Sequence, residues 1–282
     1  MAERTRQIRG VTVPTLLYGT AWKEQRTAHV VEQALSMGFR GVDTANQRRH
    51  YLEAEVGRAL RAELERGTLR REDVFVQTKF TFRAYQDHRL PYAPTAPVAR
   101  QVEQSFESSL SHLGVDVVDS YLLHAPSQPQ RLSTADIEAW RAMETLHEAG
   151  RARIIGVSNF VPDQLVALLR TVRVRPTFVQ NRCYASQGWD ASVRAICSRE
   201  GMTYQGFSLL TANEGVLRGA LVHGIARRHQ QSPAQVILRF ALQLGMIVLT
   251  GTTNPQHMAD DLAAYEFTLT SADMNALEHA ET

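Results

Sequence analysis

The chain has few of the features that mark specialised protein classes. Its 282 residues contain only two cysteines, Cys183 and Cys197, which are too few to build a disulfide framework for a domain of this length. We therefore expect free thiols in a reducing compartment. No stretch approaches the roughly 20 apolar residues of a membrane-spanning helix, and the first residues lack the apolar core of a signal peptide. The sequence thus predicts a cytoplasmic protein.

The charge balance argues against two classes of partner. The 31 basic and 29 acidic residues give a formal net charge of +2, so the chain has no strong field for nucleic acid or anionic membrane. Lysine is scarce, because only Lys23 and Lys79 occur beside many arginines. The pKa of lysine shifts readily in proteins and that of arginine does not. A lysine at a strand end of such a chain therefore indicates a chemical role, and we expect neither nucleic acid nor membrane as a partner.

Motifs of several enzyme classes are also missing. The histidines and cysteines show no metal-ligand spacing, so no metal site is predicted. The serine-hydrolase motif G-x-S-x-G does not occur. The glycine-rich turn G-x-G-x-x-G, which usually opens a doubly wound dinucleotide-binding sheet, is absent as well. An open doubly wound sheet is therefore the second choice among α/β architectures.

The chain does contain a regular alternation of short apolar runs and amphipathic segments. The runs predicted as strands are VTVPTLLYGT, FRGVD, DVFVQTK, VVDSYLLH, RIIGVS, TFVQ, MTYQGF and MIVLT. Pro14 marks a turn or hairpin edge within the first of them. Helices are predicted over 27–37, 53–64, 98–112, 134–149, 162–171, 190–200, 215–229, 233–244, 255–264 and 271–279. Eight strand–helix units without a linker favour an α/β fold of the closed (β/α)8 TIM-barrel type, as a single domain over residues 1–282.

Ionisable side chains follow three neighbouring strands of this predicted barrel. Asp43, Lys79 and His124 each come at or directly after a strand end, and Tyr51 lies in the loop after Asp43. The carboxyl ends of the strands form the active-site face of such a barrel. An ammonium beside a phenol lowers the pKa of the phenol from its usual value near 10. The four residues therefore form a candidate proton-transfer set.

Several segments resemble the aldo-keto reductase family, in order and spacing, over nearly the whole chain. They are GTAW at 19–22, GFRGVDTA at 38–45, VFVQTK at 74–79, SLSHLGVDVVDSYLLHAP at 109–126, GRARIIGVSNF at 150–160, VQNR at 179–182, SPAQVILRFALQLG at 232–245 and TNP at 253–255. The resemblance implies an NAD(P)H-dependent enzyme that reduces the carbonyl of a small-molecule substrate, a ketone or aldehyde, to an alcohol. The alternative within the same fold is a non-catalytic member that binds the cofactor as a regulatory subunit or serves as a structural protein.

The resemblance also implies roles for the four ionisable residues. Tyr51 is expected to be the general acid, with its pKa lowered by Lys79. Asp43 is expected to hold Lys79, and His124 to orient the carbonyl. In most relatives the tyrosine follows the aspartate by five residues, where this chain has Arg48. The chain resembles a subgroup with the pattern DTA-x-Q-x-x-HY and a longer loop, which favours Tyr51. If Tyr51 only packed by its ring, His124 would be left as the acid.

A larger set of residues is implied for the cofactor and the substrate. The nicotinamide is expected to stack on Phe207, which stands where tyrosine is common, because stacking needs only the ring face. The expected cofactor residues are Thr20, Ser158, Asn159, Gln180, Phe207, Ser208, Leu209, Thr252, Thr253, Asn254, His257 and Asp261. The expected substrate pocket includes Trp22, Phe80 and Ala125, the last where relatives carry a tryptophan.

Cofactor preference depends on two further departures from the family pattern. Relatives that prefer NADPH carry lysine and arginine after the last strand to hold its 2′-phosphate, and the matching residues here are Gly251 and His257. Charge-assisted contacts to phosphate are strong, so their loss should weaken this site. The resemblance still favours NADP(H), with NAD(H) as the alternative. We expect an open pocket for a bulky or polar small-molecule ketone, and a monomer or weak homo-oligomer.

Overall fold

Eight parallel strands close into a barrel in the computed structural model, which describes residues 3–280. The predicted domain, 1–282, extends two residues beyond this part of the chain at each end. The strands are β1 (Thr5–Ile8), β2 (Val11–Pro14), β3 (Leu16–Gly19), β4 (Gly41–Asp43), β5 (Phe75–Phe80), β6 (Val118–Leu123), β7 (Ala152–Ser158), β8 (Phe178–Arg182), β9 (Thr203–Phe207) and β10 (Ile247–Thr250). Strands β3 to β10 follow one another around the barrel, and β10 pairs with β3 to complete it. The predicted (β/α)8 TIM barrel is confirmed.

Helices surround the barrel. They are α1 (Thr27–Met37), α2 (Glu53–Glu65), α3 (Val98–Leu113), α4 (Thr134–Glu148), α5 (Pro162–Leu169), α6 (Ala191–Glu200), α7 (Glu214–Arg218), α8 (Ala220–His229), α9 (Pro233–Gln243), α10 (Pro255–Ala263) and α11 (Ser271–Glu278). Most match the prediction within two residues. The single helix predicted over 215–229 is wrong, because Gly219 has extended backbone (φ −68°, ψ 149°) and divides it into α7 and α8. Among the described residues, no helix has the length and apolarity of a membrane span.

Side chains at the helix starts explain several of these boundaries. The Ser133 hydroxyl accepts a hydrogen bond from the backbone N–H of Asp136, whose carboxylate accepts from the N–H of Ser133. Ser232 and Gln235 form the same reciprocal pair at the start of α9. These capping boxes satisfy N–H groups that have no partner inside the helix. Gly38 ends α1 with φ 113°, a left-handed conformation that favours glycine.

The first predicted strand, VTVPTLLYGT, is interrupted directly after Pro14, where the sequence predicted a turn or hairpin edge. It is divided at Thr15 into β2, which pairs antiparallel with β1, and β3, which belongs to the barrel. Val11 and Val13 of this hairpin are buried in an apolar cluster with barrel residues such as Phe75 and Phe178, which begin their strands. The hairpin therefore closes the amino-terminal end of the barrel and leaves the carboxyl ends of the strands free for a site.

The two cysteines agree with the expectation of free thiols. Cys183 and Cys197 are both unpaired and buried. Burial raises the pKa of each thiol to about 12, so neither carries a thiolate at neutral pH. They act as small apolar side chains in the packing.

Candidate active site

A buried ion pair lies inside the carboxyl end of the barrel. Lys79 Nζ is 2.7 and 2.6 Å from the two carboxylate oxygens of Asp43, and 2.9 Å from the carbonyl oxygen of Thr44. Asp43 is 3% exposed and Lys79 is fully buried. Burial lowers the pKa of Lys79 and the carboxylate of Asp43 opposes this shift. Because all three ammonium protons have oxygen acceptors, the amine is held in one position beside the cavity.

Three side-chain amides continue this polar centre into the barrel. Gln77 and Gln180 donate to Asp43 Oδ1 at 2.7 and 3.0 Å, and both also donate to Gln205 Oε1. Gln77 and Lys79 lie two residues apart on β5, so the alternation of a strand turns both side chains inward. Sequence reasoning missed Gln77 and Gln205, although a glutamine within an otherwise apolar strand was a signal. The network fixes the orientation of Asp43, and through Asp43 the position of Lys79.

Tyr51 and His124 lie above this pair on the cavity wall. Lys79 Nζ is 5.5 Å from the centroid of the Tyr51 ring, and the rings of Tyr51 and His124 meet edge to face with centroids 5.8 Å apart. The loop that carries Tyr51 turns back on itself, since the N–H of Tyr51 donates to the carbonyl oxygen of Gln47 at 3.0 Å. The longer loop thus places the tyrosine beside the lysine. The structure brings together all four residues of the predicted set.

The protonation states differ from the prediction at Tyr51. Burial, and then the carboxylate of Asp43, raise the pKa of Tyr51 above its ordinary value, whereas the sequence predicted a lowering by Lys79. The physical reason is that the lysine charge is already balanced by Asp43, while the buried phenol loses the water that would solvate a phenolate. Burial and the Lys79 charge lower the pKa of His124 well below 6.5. Both rings are therefore neutral at neutral pH.

Hydrogen bonds from neighbouring strands orient His124. Its Nδ1 lies 2.7 Å from the hydroxyl of Thr81, which leaves Nε2 as the free ring nitrogen. Its carbonyl oxygen accepts from Asn159 Nδ2 at 2.8 Å. Asn159 also donates to the hydroxyl of Ser158 at 3.1 Å and has a left-handed backbone with φ 60°. The predicted serine–asparagine pair thus supports the loop that carries the histidine.

A cavity of about 970 Å³ runs from these residues along the rim of the barrel. Thirteen of the predicted site residues line it: Trp22, Asp43, Tyr51, His124, Ser158, Asn159, Gln180, Phe207, Ser208, Leu209, Thr252, His257 and Asp261. Lys79 lies buried beneath its wall. The volume is near the upper end of the roughly 300–1,000 Å³ of small-molecule sites, which suits a ligand as large as a dinucleotide.

Besides Lys79, five predicted residues lie outside the cavity lining. The prediction for Phe80 is wrong, because β5 turns it away from Lys79 into a core contact with Phe82 and Tyr92, at centroid distances of 5.1 and 5.8 Å. Thr20 is buried and donates to the carbonyl oxygen of Asp43 at 3.0 Å. Asn254 caps α10 by accepting from the N–H of Gln256. The remaining two are Thr253 and Ala125, which are half-buried near the rim.

One end of the cavity carries charged groups from two loops. Lys23, from the loop after β3, donates from Nζ to the carbonyl oxygen of Gly251. Asp261 accepts a hydrogen bond from the Thr250 hydroxyl, and burial raises its pKa to about 6. His257 also lines this end. Sequence reasoning noted the scarcity of lysine but did not connect Lys23 with Gly251, since the two residues are distant in the chain.

Trp22, the neighbour of Lys23 in the chain, forms an exposed part of the cavity rim. Its side chain is the most exposed large apolar group of the described residues, at 67%, and its backbone is left-handed with φ 62°. The ring packs on His50, with centroids 4.0 Å apart. An exposed aromatic pair at the mouth of a cavity is typical of a surface that contacts a ligand. Within residues 3–280, no three His, Cys, Asp or Glu side chains converge as metal ligands would.

Known proteins match both the chain and its fold. The model of the Aldo/keto reductase family matches residues 15–282. Two curated relatives are each 31% identical: the uncharacterized oxidoreductase YtbE of Bacillus subtilis (strain 168), over 95% of this chain and 89% of that protein, and morphine 6-dehydrogenase of Pseudomonas putida, over 97% and 89%. The crystal structure of an aldo/keto reductase from Brucella melitensis is 28% identical with a TM-score of 0.81, covering 97% of this chain and 98% of that one.

The family match includes the residues of the candidate site. The family match spans nearly all of the chain, including every strand of the barrel and all four residues of the buried polar set. Members of this family in general reduce carbonyl groups with NAD(P)H. The chain belongs to the aldo/keto reductase family and is an oxidoreductase enzyme.

Proposed function

We propose that this enzyme reduces the carbonyl of a ketone or aldehyde with NADPH, and that Tyr51 gives the proton. The observation that carries the proposal is the position of the Tyr51 ring on the cavity wall. The ring centroid lies 5.5 Å from the Lys79 amine, and the ring meets that of His124 edge to face. The Asp43 carboxylate next to this amine accepts hydrogen bonds from three side chains, those of Gln77, Lys79 and Gln180. Tyr51 is the one tyrosine among the described residues that line the cavity.

The residues of the cavity fit a nicotinamide dinucleotide. Phe207 contributes an aromatic ring to the lining, and Asn159 and Gln180 contribute side-chain amides. Ser208 and Leu209 continue the wall toward Thr252 and the start of α10. An aromatic ring and amide groups, together with hydroxyls and the Lys23 ammonium, match a planar amide-bearing ring joined to phosphates.

The chemistry follows from the proton-bearing residues. Bound NADPH supplies the hydride, two electrons and one hydrogen nucleus, to the carbonyl carbon. The Tyr51 hydroxyl gives its proton to the carbonyl oxygen, which leaves a phenolate. The Lys79 ammonium stabilises that phenolate, and Asp43 keeps the ammonium in place. Because the ordinary pKa of a phenol is near 10 and burial raises it further, Tyr51 is fully protonated before the reaction.

His124 prepares the carbonyl for this transfer. Its lowered pKa keeps the imidazole neutral, so it adds no second positive charge beside Lys79. With Nδ1 facing the Thr81 hydroxyl, the Nε2–H tautomer offers a donor toward the cavity. A hydrogen bond from this donor would orient the carbonyl oxygen toward Tyr51.

We also propose a bulky or polar ketone as the substrate class. Trp22 and His50 form an exposed rim at the cavity, with the Trp22 side chain 67% exposed. The name of one relative, morphine 6-dehydrogenase, denotes action on a bulky polycyclic compound, which agrees with an open entrance. We further propose the DTA-x-Q-x-x-HY subgroup, supported by the turn from Gln47 to Tyr51, and a cytoplasmic monomer or weak homo-oligomer without nucleic-acid or membrane partners. NAD(H) remains the alternative cofactor because of Gly251 and His257.

The variant Tyr51→Phe tests the proposed acid. Removal of a general acid should lower kcat by roughly 10²- to 10⁴-fold, measured with NADPH over a panel of ketones and aldehydes. The Kd for NADPH should stay within twofold, because the ring that packs on His124 is retained. Near-normal turnover would exclude Tyr51 and leave His124 as the acid. Cofactor binding by the wild type without turnover of any carbonyl would favour the non-catalytic alternative.

A further inference from the structure

The side chain of Lys23 spans the gap between the loops that follow β3 and β10. Its amine donates to the carbonyl oxygen of Gly251, just after β10, and both residues line the cavity. Lys23 is half-buried, and burial, followed by the charge of Arg26, lowers its pKa. The chain thus holds its second lysine partly out of water at the wall of the ligand site.

The glycine at 251 is required by this arrangement. A Cβ at this position would lie 2.8 Å from the carbonyl oxygen of Gly19, which is closer than real Cβ contacts, and 3.5 Å from Lys23 Nζ. The two loops can therefore approach only because residue 251 has no side chain. The Lys23 amine would be in ordinary van der Waals contact with such a Cβ, so it lies directly beside the position from which a side chain at 251 would extend.

The amine has hydrogen-bonding capacity left over. An ammonium has three donors, and Gly251 supplies the one protein acceptor of Lys23 found among residues 3–280. In that part of the chain no carboxylate lies within 4.0 Å of Lys23, in contrast to Lys79 and Asp43. Asp261, at the same end of the cavity, faces the Thr250 hydroxyl. A half-buried cation without a counter-charge favours an anionic ligand.

We propose that Lys23 binds a phosphate group of the cofactor and takes the place of the cation that residue 251 does not provide. The inference rests on the proposed function, because the anion is part of the dinucleotide. It bears on the expectation that glycine at 251 weakens this phosphate site, because Lys23 would supply an ammonium from the neighbouring loop. The two phosphate sources on the cofactor, the 2′-phosphate and the diphosphate, share the chemistry that an ammonium recognises.

Calorimetric titration of the purified full-length enzyme tests the proposal without turnover. Wild type and Lys23→Met are titrated with NADP⁺ and NAD⁺, and with 2′-AMP and ADP as probes of the two phosphate sources. We expect the Kd of Lys23→Met for NADP⁺ to rise roughly 10- to 100-fold, as for a lost charge-assisted hydrogen bond. A rise for 2′-AMP assigns the 2′-phosphate, and a rise for ADP and NAD⁺ assigns the diphosphate. A Kd for NADP⁺ within twofold of wild type overturns the proposal.

Two further variants distinguish a direct contact between Lys23 and the phosphate from a general effect of positive charge. Arg26→Met removes an exposed charge from the same loop and should leave the Kd for NADP⁺ unchanged; an equal loss would mean that only the overall field matters, and the proposal would be wrong. Lys23→Gln can keep the hydrogen bond to Gly251 without the charge, so it reports on the charge even if Lys23→Met folds poorly. Since binding is measured directly, failure of Tyr51 as the acid would not affect this result.

Discussion

At the scale of single residues, the Asp43–Lys79 pair provides position more than stability. Two charges taken out of water lose hydration that their attraction only partly restores. Here the loss is offset by several additional hydrogen bonds, from Gln77 and Gln180 to the carboxylate and from the amine to Thr44. The result is an ammonium with a fixed place beside the Tyr51 ring. This position is what the proposed proton transfer requires, and disruption of the pair should reveal the cost of burying its charges.

The variant Lys79→Met leaves the Asp43 carboxylate buried without a counter-charge. We expect the free energy of unfolding to fall by about 3–5 kcal/mol, measured by urea titration, together with loss of reductase activity. The double variant Asp43→Asn/Lys79→Met should regain part of that stability, because a neutral amide replaces the lone carboxylate, while activity stays lost. A double variant no more stable than the single one would contradict this account.

Asp261 gives a second prediction at the same scale. Its folded pKa of about 6 lies above the unfolded value of about 3.9. The folded state therefore binds more protons between these pH values, and the free energy of unfolding falls as the pH rises through that window. Above pH 6 the ionised Asp261 lowers the free energy of unfolding by its full amount, on the order of 3 kcal/mol.

Asp261→Asn should remove this cost, since the amide oxygen can still accept from the Thr250 hydroxyl. Urea titrations should show the variant to be more stable than wild type at pH 8, by up to about 3 kcal/mol. Near pH 4, where the wild-type carboxyl is mostly protonated in the folded state, the difference should become small. The same gain at both pH values would show that ionisation of Asp261 is not its cause.

At the scale of elements, the close packing of α2 against α3 depends on Gly57. A Cβ added there would lie 1.9 Å from the carbonyl oxygen of His112 and 2.8 Å from Cα of Leu113. Both are backbone atoms, which cannot move aside as a flexible side chain can. Because α2 begins two residues after Tyr51, a displaced helix would also shift the proposed acid.

Gly57→Ala should therefore destabilise the enzyme by about 1–3 kcal/mol, as overpacking commonly does. Its matched control is Gly215→Ala in α7, where an added Cβ meets nothing within 4 Å. That control should be neutral or slightly stabilising, because alanine has the higher helix propensity. Urea titration of both variants checks the pair, and equal effects would show that the α2–α3 contact is not the reason for glycine at 57.

The sequence predicted the elements well where local chemistry sets their limits. Helix α1 was predicted over 27–37 and is observed there, because Gly38 stops it in a left-handed conformation. The interruption of VTVPTLLYGT was predicted at Pro14 and is observed at Thr15, but its antiparallel partner β1 lies in a segment that was predicted only as a polar start. The outward turn of Phe80 could have been predicted from the alternation along β5, given that Lys79 faces inward.

The site was predictable in its membership and less so in its electrostatics. The four ionisable residues follow from strand ends and family resemblance. The raised pKa of Tyr51 depends on burial and on the balance between Lys79 and Asp43, which are quantities of the folded chain. The contact between Lys23 and Gly251 joins residues more than 200 positions apart. No local pattern reports such a contact.

At the scale of the whole molecule, the two ends of the barrel have separate tasks. The hairpin of β1 and β2 covers the amino-terminal end with Val11 and Val13, and the polar set occupies the carboxyl end. The strands between them are rigid and short, four to seven residues in most cases. The apolar packing of the amino-terminal end and the candidate site of the carboxyl end are thus separate, as is usual for this type of barrel. Mutations at one end should therefore leave the properties of the other end unchanged.

The variant Val13→Ala tests that independence. Val13 is completely buried in the apolar cluster at the amino-terminal end, so the loss of two methyl groups should lower the free energy of unfolding by about 2 kcal/mol. The exposed neighbour Thr12 supplies the control, because Thr12→Ala should change stability by less than about 0.5 kcal/mol. Both variants should keep wild-type kcat and KM at a temperature where they stay folded, since the reacting groups lie at the opposite end. A fall in kcat of folded Val13→Ala would mean that packing at the closed end helps to position Tyr51 and Lys79, and the separation of the two ends would have to be given up.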